Sequence, residues 1–97
     1  MTQKQKFTDV FIELRKNGLC ILSCKRQKQI VSIDMLIQIM HIDASKKSEM
    51  ITTFKADLVK HAVSTYQIWE LKDVQIYYTI DVSTILAYQA MQIKIEL

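Results

Sequence analysis

Proline is absent from this 97-residue sequence and glycine occurs once, at Gly18. Long loops and unusual backbone angles normally recruit those two residues. The chain must therefore be built from regular helices and strands joined by short connections, and a glycine-rich phosphate loop is excluded. Domains cluster near about 100 to 150 residues, so residues 1–97 are read as one domain around one core. Hydrophobic residues make up 49% and charged residues 24%, a balance that supports a packed core and excludes a disordered tail, a collagen-like fibre or a mucin-like stalk.

The net charge of +3 is unevenly spread. Lys4, Lys6, Arg15, Lys16, Lys25, Arg26 and Lys28 face only Asp9 and Glu13 in residues 1–28, a local balance of +5, and the remainder carries −2. Such asymmetry creates a field that steers polyanions toward the basic end. Met1 to Lys6 is polar, with no apolar signal-peptide core behind its charges. No uncharged apolar run approaches the ~20 residues of a membrane span. Cys20 and Cys24, four apart, are too few for a disulfide scaffold. A cytoplasmic protein without a membrane partner is the expectation.

Phe7, Val10, Phe11 and Leu14 recur at spacings of three and four, which predicts a helix over residues 4–17 that ends at Asn17-Gly18. Leu19 to Ser23 and Gln29 to Ser32 read as short strands around the basic loop Cys24 to Lys28. Ser32 is a good N-cap for a buried helix from Ile33 to His41, with Asp34 in its first turn. Ser45 is expected to cap a second helix to Val63, with a core stripe of Met50, Ile51, Phe54, Leu58 and Ala62 and with Lys46, Glu49, Thr53, Ala56 and Lys60 turned outward. From Tyr66 to Asp81 the period changes to two. With Lys72-Asp73 as the turn, Trp69 and Leu71 share a face with Val74, Ile76, Tyr78 and Ile80, leaving Tyr66 and Tyr77 on the other; Lys-Asp lacks the Asn-Gly preference of tight hairpins, so a four-residue loop is the alternative. Ser83 to Ala90 allows a short helix, and Met91, Ile93, Ile95 and Leu97 alternate with polar residues as in a strand.

The run VSIDMLIQIMHIDASKKSEMITTFKADLVKHAV, followed by QIWELKDVQIYYTI, resembles the winged helix-turn-helix family. It reads as a strand end, a first helix (Ile33 to His41), a turn (Ile42 to Ala44), a second helix (Ser45 to Val63) and a wing hairpin. Asp43 stands where the family often has a turn glycine, and the hairpin tip offers Lys72 balanced by Asp73. The fold class implied is α+β: one small winged-helix-like domain with a helix, short strands, two helix-turn-helix helices, a hairpin wing and a C-terminal helix or strand. The resemblance implies a small DNA-binding transcriptional regulator, of a size that suits phage, plasmid or viral origin, that lays its second helix in the major groove. Lys46 and Lys47 then suit phosphates or guanine acceptors, Glu49 a cytosine amine, Thr52 and Thr53 base edges or a thymine methyl, and Lys60 a phosphate. Lys25, Arg26, Lys28 and Lys72 add backbone contacts from the loops. Winged-helix domains also serve as protein-interaction modules, and the acidic second half and apolar C-terminus suit an adaptor or inhibitor.

Other chemistry is poorly supplied. Cys20, Cys24, His41 and His61 lack the close ligand pairs of a zinc site. No base or orienting carboxylate can be assigned to Cys24, and no acid–base pair or cofactor loop assembles. A non-enzyme with no metal, cofactor or small-molecule substrate is expected. Duplex DNA is the expected partner. The terminal strand (Met91, Ile93, Ile95, Leu97) must pair either with Leu19 to Ser23 of its own chain or with a second copy, and the latter makes a homodimer.

Overall fold

The computed structural model describes residues 12–83, 86–87 and 95–96. Residues 12–17 form helix α1, which buries Leu14; Phe7, Val10 and Phe11 of the predicted stripe lie outside the described residues. Gly18 ends α1 as expected, at φ +75°, with its N–H donating to the Leu14 carbonyl at 3.2 Å. A Cβ at Gly18 would overlap the Tyr78 ring, whose hydroxyl donates to the Asn17 carbonyl at 2.5 Å. Backbone angle and packing therefore both demand glycine here.

Strands β1 (Leu19–Cys24) and β2 (Gln27–Val31) form an antiparallel hairpin. The expected five-residue loop shrinks to Lys25-Arg26, because Gln27 and Lys28 join the ladder. Helix α2 (Ile33–Ile39) starts at Ser32, whose Oγ accepts from the Met35 N–H at 3.0 Å. It stops short of His41, which turns into the left-handed region at φ 55°. Asp43, not Ser45, makes the next cap: its carboxylate accepts from the Ser45 N–H at 3.0 Å and opens a 3-10 turn, Ala44–Lys46, that runs into α3 (Lys47–His61). An Asx cap reaches two residues ahead, so the shorter entry uses the earlier residue. Helix α3 buries Phe54 and Leu58 and half-buries Met50 and Ile51. Ala62, expected in the core, is instead the exposed left-handed C-cap at φ 53°.

Strands β3 (Thr65–Leu71) and β4 (Val74–Thr79) close on a two-residue turn, Lys72-Asp73. The sheet order is β3-β4-β1-β2-β5. Trp69 and Leu71 pair with Ile76 and Val74 as expected, but the register shifts between Gln67 and Trp69. This bulge at Ile68 puts Tyr66 opposite Tyr78, on the helix-covered face and not on the free face expected for it. Tyr66 stacks there on His61, ring centroids 4.2 Å apart. Tyr77 is not free either, since it packs against the core of the opposite face.

Residues 82–83 and 86–87 are helical. Ile95–Glu96 forms β5, which pairs in parallel with Ile30 and Val31 of β2, so the intrachain partner is β2 and not β1. Met91, Ile93 and Leu97 lie outside the described residues. One face of the sheet packs on α2 and α3 through Cys20, Val31, Leu36, Phe54, Leu58, Ile76 and Tyr78; the other gathers Leu14, Leu19, Ile21 and Ile30. The element order is that of a winged helix-turn-helix, with the first strand doubled into a hairpin.

Candidate nucleic-acid interface

The strand register places two turns side by side. Leu71 pairs with Val74, Val74 with Cys24, and Cys24 with Gln27. Both hairpin tips therefore sit at one end of the sheet, in the order Lys72, Asp73, Lys25, Arg26. Neighbouring strands lie about 4.8 Å apart, so the row spans roughly 14 Å, comparable with the ~12 Å width of a DNA major groove. Lys25 and Lys72 each open their turn in the left-handed region, at φ 56° and 50°. Glycine or asparagine takes that conformation at lower cost, so each turn carries a cation at the expense of backbone strain. Lys28 lies one pair inward from the Lys25-Arg26 tip, exposed on β2 and opposite Ser23.

Helix α3 approaches this end with its N-terminal half. Its last residue, His61, stacks on Tyr66 near the start of β3, while Lys46, Glu49 and Thr53 line a shallow groove of about 310 Å³ with Ile68 and Trp69 further along that strand. Phe54 anchors this arrangement, meeting Trp69 edge-on with centroids 5.6 Å apart and Tyr78 at 5.2 Å. The exposed side chains Lys46, Glu49 and Thr53 thus lie over the middle of β3, with Asp57 beside them in the same groove.

Three expected contact residues stand differently. Lys47 bonds Asp34 of α2 at 2.9 Å, a surface tie between α3 and α2 that offsets its charge. Thr52 is exposed, yet its hydroxyl donates to the Ser48 carbonyl at 3.0 Å. Lys60 is exposed next to His61, which stacks on Tyr66 near the start of β3, so it sits at the opposite end of α3 from Lys46. Asp43 stands beside Lys46, and the Ser45 N–H holds its carboxyl below the usual carboxylate range. That charge offsets part of the Lys46 field.

Among the described residues no three His, Cys, Asp or Glu side chains gather closely enough to hold a metal ion. Cys20 is buried on β1, where desolvation pushes its thiol up to about 12 and so disfavours the reactive thiolate. Burial likewise raises the Tyr78 hydroxyl, with smaller contributions from Cys20 and Glu13. Among the described residues no helix is long and apolar enough to cross a membrane. The adjacency of the two tips was not visible in the sequence, since it depends on β1 pairing with β4; the Lys47–Asp34 tie depends likewise on how two helices meet. No family model, no curated protein and no solved structure matches the chain, so what carries the assignment is its topology, that of a small winged-helix-like module with surfaces suited to DNA or protein contacts.

Proposed function

We propose that this protein is a small DNA-binding regulator that lays the N-terminal half of α3 in a groove of duplex DNA and braces its two hairpin tips on the adjoining backbone. What supports this reading is the presence of Lys72, Lys25 and Arg26 at one end of the sheet, with Lys46 and Thr53 exposed on the half of α3 that packs over the middle of β3. Phosphate contacts fix register and orientation, while side chains at the start of the inserted helix reach base edges. Thr53 and Glu49 are the base-facing candidates; Lys25, Arg26, Lys46 and Lys72 serve the phosphates.

Each phosphate neutralised adds about −0.9 to the slope of log affinity against log salt. Replacing Lys25, Arg26 and Lys72 together by alanine should make that slope shallower by up to about 2.7 in a titration with generic duplex at several salt concentrations. Folding should be unaffected, because all three side chains are exposed. Absence of binding by the unaltered protein at low salt removes the DNA reading; an unchanged slope in the triple variant removes the tips from it.

A further inference from the structure

Helix α3 has a second exposed flank, turned away from β3. Lys55, Val59 and Ala62 on this flank border an open groove of about 740 Å³ beside α1, floored by Leu58, Val63, Ile80 and Val82. Val59 is 81% exposed and Val63, Ile80 and Val82 are each about two-fifths exposed. A contiguous apolar surface of this kind on a small domain marks a docking site. It lies on a different flank from the proposed DNA surface and does not depend on that reading.

Charge selects the occupant. The groove is rimmed by Arg15 and Lys55, and no carboxylate stands among the described residues that line it. The Lys55 ammonium donates to the Lys16 carbonyl at 3.1 Å, which fixes that cation where α1 meets α3. Asp81, between Ile80 and Val82 in the chain, is engaged by the Ser83 N–H at 3.0 Å and the Ser83 hydroxyl at 2.6 Å. The chain's own remaining stretches do not complement this rim: residues 1–11 carry Lys4 and Lys6 against Asp9, and residues 84–94 carry Lys94 with no acid. A second copy brings a net charge of +3 to a basic rim.

We propose that this groove binds an amphipathic helical segment of a partner protein, its apolar stripe seated on Val59, Val63 and Ile80 and its flanking Asp or Glu residues paired with Arg15 and Lys55. This is the helix-in-groove mode, with apolar burial supplying affinity and the charged rim supplying selectivity.

The test is a selection from a display library of short helical peptides, followed by fluorescence titration of the enriched sequences against the full chain. Enriched peptides should carry apolar residues at i, i+3 or i+4, and i+7, flanked by acids. Val59→Gln should weaken their binding by about tenfold, with thermal unfolding and DNA affinity unchanged. Arg15→Glu should also weaken it, and a peptide with its acids changed to lysine should regain affinity for that variant. Neutral or basic enriched sequences, or binding indifferent to Val59→Gln, overturn the proposal. So does a dimer that Val59→Gln dissociates, which makes a second copy the occupant, or tighter peptide binding after removal of residues 1–11, which makes the occupant the chain's own segment.

Discussion

The two hairpins end in the same way and are held in opposite ways. Each closes on a two-residue turn opened by a lysine in the left-handed region. At the base of the first, Leu19, Cys20, Ile21, Ile30 and Val31 are all but inaccessible to solvent, whereas β3 has no fully buried residue and Leu71 is 45% exposed. The difference follows from position. β1 and β2 have strands on both sides, with α2 and the Leu36 region over one face and Leu14 over the other. β3 is the outer strand and meets α3 on one face. Parts of a protein with few buried apolar contacts open at lower free energy than its core. The first hairpin and β4, which buries Ile76 and Tyr78, are thus the framework, and β3 is the looser outer strand.

Truncation at the two sites should break the pair apart most visibly. Ile30→Ala removes a fully buried side chain and should cost about 2 to 5 kcal/mol, while Leu71→Ala, at the exposed end of β3, should cost less than about 1 kcal/mol; denaturant midpoints at constant slope measure both. Alkaline pH should discriminate next. The unfolded chain ionises the Cys20 thiol near 9.0, while the fold keeps it protonated to about 12. Between those values the folded state binds more protons, so stability falls as pH rises through that window. A loss of about 2 to 3 kcal/mol from Cys20 between about pH 8 and about pH 11 is expected, which Cys20→Ala should remove, leaving the smaller loss that Tyr78 adds above about pH 10. The smallest effect is a gain: Lys25→Gly and Lys72→Gly should each stabilise by about 0.5 to 1 kcal/mol by relieving the left-handed turn, while duplex affinity falls. A fall in stability instead would show that neither lysine is strained.

The features legible in the sequence were those in which one residue type answers one local need. Gly18 announced a helix end, Ser32 a cap, and Phe54 and Leu58 a core face at helical spacing. What stayed hidden depended on contacts across the fold. Alternation in Trp69, Leu71, Val74 and Ile76 reports faces but not the extra residue at Ile68, and that one residue moved Tyr66 across the sheet. The alternating C-terminus announced a strand without naming its neighbour, and Ile95–Glu96 chose β2. Left-handed angles at Lys25, His41, Ala62 and Lys72 carry no glycine or asparagine signal. Among the contact candidates, exposure of Lys46, Glu49, Thr53 and Lys60 followed from helix phase alone; the loss of Lys47 to Asp34 did not.

The bulge at Ile68 also governs how this molecule behaves among its own kind. An outer strand with a regular ladder of unpaired amides and carbonyls is a template on which another chain can crystallise, strand by strand, into an aggregate. On the β2 side, Ile30 and Val31 already hold β5. On the β3 side, the register break between Gln67 and Trp69 twists the ladder in mid-strand, so an incoming straight segment can match the first half or the second but not both. The same irregularity that hid Tyr66 from a reading of the sequence thereby guards the open margin against fibril growth.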